Sequence, residues 1–212
     1  MVATRDVSAG RVRNPRGEGV VLGEQIVTAA LAFVDDTRGV QGLSLRGLAR
    51  TVGVSAPAIY AHFPNVDAIL LAVARRLFAD LAAELRAASA TSATPQTRSR
   101  AVGQAYLDHA EHHPGRYLVM FGGQWDVTTA IERGALDAAA GDDLGRDVMA
   151  AFVGAAQVDG TAADAAQSSV TAAVTTWVTL HGYAHQRLLA RAFPWPPGVT
   201  EHVLDHALAT PR

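Results

Sequence analysis

Residues 44–70 read SLRGLARTVGVSAPAIYAHFPNVDAIL, and this stretch decides the fold. Ser44 offers an N-cap oxygen to a short helix, in which apolar residues such as Leu45 and Leu48 recur at helical spacing. Gly53 supplies the left-handed residue that ends this helix. Ser55 then caps a further helix that has Pro57 in its first turn, where a missing N–H costs nothing. The stretch therefore predicts two short helices joined by a glycine turn.

Two helices of this length cannot bury a core alone, so a third must pack across them. A helical period begins at Val20, and Phe33 and Val34 lie on its apolar stripe. We expect these two side chains to face Leu48 and Ile59. Three helices with a short glycine turn before the last are typical of a helix-turn-helix unit.

The rest of the chain also reads as helix. Asn65 caps a long fourth helix, and further helices are predicted at about 98–112, 115–122, 126–139, 144–158, 164–192 and 199–209. No alternating β-branched run bounded by a hairpin turn occurs. We therefore predict an all-α fold divided into a flexible arm (1–19), a helix-turn-helix domain (20–66) and a larger helical domain (67–212) that begins with a connecting helix (67–89).

Composition excludes several classes of site and sets the compartment that we expect. The 212 residues include no cysteine, which excludes disulfides, thiolate metal sites and cysteine nucleophiles. The first residues are charged and glycine-rich where a signal peptide would be apolar, and no apolar run approaches the length of a membrane span. We expect a cytoplasmic protein with no membrane partner.

Charge is distributed unevenly along the chain, although the formal net charge is only −2. Residues 1–66 carry seven arginines and five acidic residues, whereas residues 91–212 carry eight arginines and twelve acidic residues. This asymmetry indicates separate roles for the front and the back of the chain.

The sequence from Leu43 to Leu70, with its LAxxxGVSxxxIYxHF core, closely resembles the DNA-binding region of TetR-family transcriptional regulators. Downstream, TWVTLHGYA and YLDHAEHHPGRYLVMF resemble the C-terminal domain that some members carry, named for its Trp-His-Gly signature. The resemblance implies a homodimeric repressor that binds a palindromic DNA operator. It also implies a small-molecule effector that releases the protein from DNA, and a larger domain that serves ligand binding and dimerisation.

The resemblance assigns DNA contacts to two helices. Arg46 is placed to reach phosphate or a guanine edge, and Tyr60 and His62 have polar atoms that suit phosphates. For Ser44, capping is at least as good an interpretation as DNA contact. The full set of candidate DNA-binding residues is Ser44, Arg46, Ser55, Ala56, Pro57, Ala58, Tyr60, Ala61 and His62.

The chain departs from the family pattern in two ways. The four apolar residues of that set have no hydrogen-bonding side chain, so base reading would fall to thymine methyl groups, DNA shape and Arg46. Where the family commonly has a phosphate-anchoring lysine, this chain has Val66. The basic segment 11–17, RVRNPRG, is a candidate to compensate by reaching the minor groove.

The effector pocket is predicted less sharply. Aromatic and apolar residues with a few polar handles suit a hydrophobic or amphipathic effector, but each can equally be packed core. For Trp177, core packing is the better interpretation. The candidate ligand-binding residues are Tyr106, His109, Tyr117, Met120, Phe121, Trp125, Trp177 and His181.

A metal site, a helical enzyme and a constitutive DNA-binding protein are the alternatives to a ligand-responsive regulator. HAEHH places His109 and His113 on one helix face, but the glutamate is not where a zinc-protease motif needs it, so we expect neither a metal nor a cofactor. A helical enzyme that uses the histidines lacks a serine elbow or a phosphate-binding glycine loop. A constitutive DNA-binding protein without effector stays open, and it predicts no ligand-sized cavity beyond residue 90.

Overall fold

The computed structural model describes residues 18–156 and 163–209, and side chains from 20 to 156 and 167 to 209. The predicted arm, apart from its last two residues, lies outside this range, as does the basic segment 11–17. Within the described residues there are ten helices and no strand, which confirms the all-α prediction. The helices are α1 (Glu18–Thr37), α2 (Leu45–Val52), α3 (Ala56–Tyr60), α4 (Val66–Ala90), α5 (Pro95–His112), α6 (Pro114–Phe121), α7 (Val127–Glu132), α8 (Arg146–Ala156), α9 (Ala163–Leu189) and α10 (Val199–Leu208).

The local signals of the opening stretch form as expected at Ser44, Gly53 and Asn65, but the predicted Ser55 cap is wrong, because its side chain makes no capping hydrogen bond to α3. The Ser44 side chain accepts a hydrogen bond from the Gly47 backbone amide at 3.1 Å, which caps α2. Gly53 adopts the left-handed conformation with φ 78°, and this turns the chain sharply into α3. Asn65 caps α4 by accepting from the Ala68 amide at 2.8 Å. These caps fix the ends of α2 and the start of α4.

Helices α1 to α3 and the first half of α4 share a front core. Val34 of α1, Leu48 of α2 and Ile59 of α3 are buried together in it. Phe33 is half-buried beside Gly42 and does not belong to this core. The expectation for Val34 is therefore met, whereas that for Phe33 is not, because the buried stripe of α1 runs through Ile26 and Val34 instead.

A separate back core forms among α4, α5, α6, α8, α9 and α10. Its buried residues include Leu81 and Leu85 of α4, Tyr106 of α5 and Leu180 of α9. Met120 of α6 packs against both cores. Helices α4 and α6 therefore connect the front of the molecule to the back.

The helix predicted at 126–139 is wrong in length, because α7 ends at Glu132. Gly134 has φ 73°, and the amide of Ala135 donates to the carbonyl of Ala130 at 2.9 Å. This is the geometry of a Schellman C-cap, which stops the helix and leads into irregular turns before α8.

The start of α6 lies unusually close to the end of α1. A Cβ at Gly115 would lie 2.8 Å from the Val34 carbonyl oxygen and 2.9 Å from the Arg38 Cα. Next to it, Arg116 donates two hydrogen bonds of 2.8 Å to the carboxylate of Asp35. These bonds hold the pKa of Asp35 below its ordinary value. The front domain is thus fastened to the back domain by backbone contact and by an ion pair.

Replacing Gly115 with alanine is expected to lower the free energy of unfolding by about 1–3 kcal/mol, because the three nearest atoms that the new methyl group meets are all backbone. Urea denaturation of the purified protein measures this change.

Gly23→Ala is the matched control, because a Cβ there meets only the edge of His62 at 4.0 Å in the interior of α1. This variant should gain about 0.5–1 kcal/mol from helix propensity. A Gly115→Ala protein as stable as the Gly23→Ala protein would contradict the packing described here.

Candidate functional site

The exposed face of α2 carries a cation directly after the cap. Arg46 is exposed, and within the described residues its guanidinium has no carboxylate partner. Arg50, one turn further along the same exposed side, was not predicted as a contact, although its i, i+4 spacing from Arg46 is visible in the sequence. Helix α2 can therefore present positive charge to a polyanion.

Helix α3 presents a small and nearly apolar surface. Ser55, Pro57 and Ala61 are exposed, while Ala56 and Ala58 are half-buried. The Ser55 side chain makes no capping hydrogen bond, so its hydroxyl is available to an external acceptor. Tyr60 is 53% exposed at the end of the helix. The face offers hydroxyl groups at its two ends and methyl or methylene groups between them.

His62 follows α3 and is half-buried, with its Nδ1 near Gly23 of α1. Val66, at the position of the missing lysine, packs partly against the front core. The structure therefore uses Val66 for packing, and the cation at the start of α4 is Arg133, which pairs with Asp67.

Two acidic residues of the front domain are paired with arginines from elsewhere. Asp35 binds Arg116 of α6, and Glu24 lies 3.8 Å from Arg76 of α4. Asp36, which lines the same surface depression as Ser44 and Arg50, has no arginine partner within the described residues. Pairing therefore offsets part, but not all, of the negative charge of this domain.

In the back core, His181 of α9 is the centre of a polar and aromatic cluster. Its Nδ1 lies 2.8 Å from the Tyr106 hydroxyl and 3.0 Å from the Tyr117 hydroxyl. The Trp177 ring stacks on His181 at 5.0 Å, and Phe121 meets it edge-on, also at 5.0 Å. Five of the eight predicted ligand-binding residues are therefore in one place, which is called the His181 cluster below.

Protonation in the His181 cluster follows from burial. Desolvation lowers the pKa of His181 below its ordinary value, and the nearby His185 lowers it further. Burial raises the pKa of Tyr117 to about 12 and raises that of Tyr106 as well. At neutral pH the histidine is neutral and the tyrosines keep their protons, so both contacts at Nδ1 are hydrogen bonds between neutral groups.

Two buried donors or acceptors near His181 have no hydrogen-bond partner within the described residues. They are Trp177 Nε1 and His185 Nδ1. Buried polar atoms are nearly always paired in proteins, so these two are exceptions that lie next to the His181 cluster.

The other three predicted ligand-binding residues lie elsewhere. His109 is buried, with Nδ1 2.8 Å from the Glu84 carboxylate. Trp125 donates to Asp67 at 3.0 Å, at the start of α4. Met120 lies at the junction of the two cores. Their positions depend on helix rotations that one sequence does not determine.

A cavity of about 360 Å³ lies among α1, α5, α6, α9 and α10, and none of the eight predicted ligand-binding residues lines it. Its lining includes Tyr183 and Arg187 of α9 and Arg191 just after that helix, at four-residue spacing. That spacing was visible in the sequence, and it is the signal that the prediction missed.

Two other features are absent from the described part of the chain. No group of three or more His, Cys, Asp or Glu residues is arranged to hold a metal ion there. None of the described helices is both long enough and apolar enough to span a membrane.

Family comparison accounts for both halves of this architecture. The family described as "Tetracyclin repressor-like, C-terminal domain" matches residues 99–210, and the family described as "Bacterial regulatory proteins, tetR family" matches residues 26–73. The chain belongs to the TetR family. The family that matches the front of the chain is described as one of regulatory proteins, and a transcriptional activator is among the relatives. The Trp-His-Gly subtype stays a prediction.

Relatives in the TetR family cover only part of the chain. The HTH-type transcriptional activator FasR of Mycolicibacterium smegmatis is 33% identical over 109 residues, which is 51% of this chain and 48% of that protein. The class A tetracycline repressor protein from transposon 1721 of Escherichia coli is 35% identical over 99 residues, which is 42% and 44%. The chain thus spans about half the length of these relatives.

Solved structures match over nearly the whole chain. A protein of unknown function from Rhodococcus sp. RHA1 is 25% identical with a TM-score of 0.66, covering 93% of this chain and 95% of that one. A TetR transcriptional regulator from the same organism is 15% identical with a TM-score of 0.60, covering 90% and 95%, and this likeness shows the fold alone.

The His181 cluster predicts acid sensitivity of this TetR-family protein. Because the pKa of His181 lies below its ordinary value of 6.5 in the folded chain, the unfolded chain binds more protons below pH 6.5. The stability contributed by the neutral ring is present above pH 6.5 and is lost as pH falls from there towards the lowered pKa. Chemical denaturation at pH 7.5, 6.5 and 5.5 should show this fall.

His181→Asn should make the fall smaller, because asparagine does not titrate. His202→Asn, on the exposed side of α10, is the control and should keep the wild-type profile. Equal profiles for wild type and His181→Asn would show that the fall comes from other groups.

Proposed function

We propose that this protein is a ligand-responsive repressor that binds a palindromic operator as a homodimer and leaves it when a small-molecule effector binds. The observation that carries the proposal is the exposed Arg46 beside the α3 face, on a domain fastened to a back domain that contains a ligand-sized cavity. Repression needs only occupancy of DNA, which is the activity that this face can supply. Its place of action is the cytoplasm.

DNA binding is assigned to the residues predicted from the sequence. Arg46 contacts a phosphate or a guanine edge, and Tyr60 and His62 contact phosphates at the other end of α3. Ser44 already caps α2, so a phosphate contact would have to share its hydroxyl. Ser55 has a hydroxyl without a capping bond and is the better hydroxyl contact of the two.

Base reading relies on shape and apolar contact. Ala56, Pro57, Ala58 and Ala61 let the backbone of α3 approach the bases closely, and methyl groups can pack on thymine methyl groups. Arg46 is then the main cation for direct readout. The operator sequence is therefore selected largely by DNA deformability.

Dimerisation is assigned to an exposed stripe on α9. Val170, Val174 and Val178 are 39%, 38% and 54% exposed at four-residue spacing, and Gly182 continues the stripe. A Cβ at Gly182 would meet nothing within 4 Å, so packing within the described chain does not require a glycine there. A stripe of this kind suits close packing against the same helix of a second copy.

Effector binding is assigned to the back domain. The His181 cluster and the 360 Å³ cavity both lie there, and the cavity supports the effector reading over a constitutive DNA-binding protein. Movement reaches the DNA through α4 and α6, because these helices pack in both cores. His109, Met120 and Trp125 remain proposed ligand contacts of lower rank, since they lie outside the cluster.

Activation is the second candidate, favoured by the likeness to FasR, which is described as an activator. Repression and activation are distinguished by in vitro transcription from a promoter that carries an operator selected from a random DNA pool. Repression lowers the transcript when the protein is added, and activation raises it.

Arg46→Ala and Tyr60→Ala should each weaken binding to an operator selected from a random DNA pool. A lost guanine or phosphate contact costs about 1–3 kcal/mol of binding free energy. Loss of a phosphate contact at Arg46 also lowers the slope of log affinity against log salt concentration by about 1 for each DNA-binding domain of the dimer. Fluorescence anisotropy at two salt concentrations measures both effects.

Arg86→Ala is the matched control, because Arg86 is exposed on α4 far along the chain from the α2–α3 face. Its affinity and salt slope should equal those of the wild type. Selection of no site, or equal loss for all three variants, would contradict the assigned DNA face.

Val174→Glu together with Val178→Glu should convert a dimer into a monomer, because two carboxylates would be buried in each copy of the interface. Sedimentation velocity measures the change. Val20→Glu introduces the same charge at a valine that is 76% exposed on α1, and it should leave the dimer intact. A wild-type monomer, or a dimeric double variant, would refute this interface.

A further inference from the structure

The 360 Å³ cavity lies where five helices meet. Arg38, directly after α1, and Pro114, the first residue of α6, line one side of it. Leu107 and Ala110 of α5 line the next side, and the C-terminal turns of α9 complete the wall. Trp195 and Thr200, from the loop before α10 and from α10 itself, close it. The cavity is therefore in contact with both the front and the back domain.

The lining has an excess of positive charge. Arg38, Arg187 and Arg191 line the cavity, and Glu111 is its acidic lining residue. None of these three arginines forms an ion pair with a carboxylate of the described residues, although five other arginines do. Arginine without a carboxylate partner at a cavity wall is suited to binding an anion.

Two of these arginines are held in place without losing their charge. Arg191 donates through Nε to the Leu188 carbonyl at 3.3 Å, which leaves its terminal nitrogens for a ligand. The Arg187 guanidinium lies 5.6 Å from the centre of the Trp195 ring, in a cation–π contact.

The remaining wall is apolar, because its aromatic polar atoms are already paired. The Tyr183 hydroxyl lies 2.6 Å from the Thr200 hydroxyl, and Trp195 Nε1 donates to the Ala190 carbonyl at 3.2 Å. The rings of Tyr183 and Trp195 meet edge-on at 5.7 Å. With Leu107 and Leu188 they offer hydrocarbon surface beside the arginines.

We propose that this cavity binds a small organic anion, namely a carboxylate on an aromatic or short aliphatic body. Arginine side chains hold the carboxylate, and Trp195, Tyr183 and the leucines contact the body. The volume is at the small end of the range of about 300–1,000 Å³ that ligand sites occupy, which favours a small molecule. The inference rests on the proposed function only in treating this anion as the effector.

Occupancy of the cavity acts on the junction between the domains. Arg38 lies immediately after α1, and its backbone packs against Gly115 at the start of α6. An anion that draws Arg38 towards Arg187 and Arg191 changes the angle between α1 and α9. Since α1 belongs to the front core, the DNA-binding face moves with it.

Direct binding is tested by isothermal titration calorimetry of the full-length protein without DNA. The probes are benzoate, octanoate and 2-naphthoate, and the neutral control is 2-naphthamide, which has the same ring system without the charge. At least one carboxylate should bind saturably, and 2-naphthamide should bind about tenfold or more weakly than 2-naphthoate if that is the best probe. No binding by any of the three carboxylates, or equal binding of acid and amide, would overturn the proposal.

The site is tested by Arg187→Gln with Arg191→Gln, and by Arg86→Gln as the matched control on α4. The double variant should lose about tenfold or more in affinity for the best carboxylate, and the control should lose nothing. Thermal unfolding without ligand verifies that both variants fold. Unchanged affinity in a folded double variant would place the anion elsewhere and refute this site.

Coupling is tested separately with the selected operator. The best carboxylate should change the operator affinity of the wild type by about fivefold or more, and should not change that of the double variant. If the protein binds the carboxylate at this site but selects no DNA, the proposed regulatory function fails while the binding site stands. If DNA is bound and the carboxylate is not, the binding site fails while the regulator stands.

Discussion

Helix α4 is the element on which the rest of the structure depends, because one unbroken helix of 25 residues belongs to both hydrophobic cores. Ile69 and Val73 pack in the front core, and Leu81 and Leu85 pack in the back core. No glycine or proline interrupts α4, so it has no built-in kink point. Reorientation of the front domain therefore requires α4 to move as a rigid rod against the back core.

Helix α6 adds a second connection, and the two candidate ligand regions lie along it. Its first residue, Pro114, lines the cavity, while Tyr117 and Phe121 belong to the His181 cluster. Between them, Arg116 holds Asp35 of α1. A molecule bound at either end of α6 thus acts on the same contact with α1, so one transmission route serves both regions.

Much of the front domain was predictable because its signals are local. Ser44, Gly53 and Asn65 each fix a helix end through their own backbone and the next few residues, independently of the rest of the fold. The end of α7 also depends on a local signal, the left-handed Gly134, and a helix predicted to run past this glycine is therefore too long.

The back domain was less predictable because its sites depend on helix rotation. Aromatic residues were correctly singled out as a group, but sequence periodicity could not separate Tyr106, which meets His181, from Trp125, which bonds to Asp67 instead. The four-residue spacing of Tyr183, Arg187 and Arg191 is visible in the sequence, but their sharing of a cavity with Arg38, which follows α1 about 150 residues earlier in the chain, is not. Contacts between such distant segments are set by packing and are not encoded in any short pattern.

The pair of tyrosine hydroxyls at His181 also restricts how α9 can move. Both hydroxyls meet a single nitrogen, at 2.8 and 3.0 Å, from α5 and from α6. Rotating α9 about its own axis, or sliding it past α5 and α6, would break both contacts at once. Moving α9, α5 and α6 together preserves them. The cluster therefore favours movement of these three helices as one unit over movement of α9 alone.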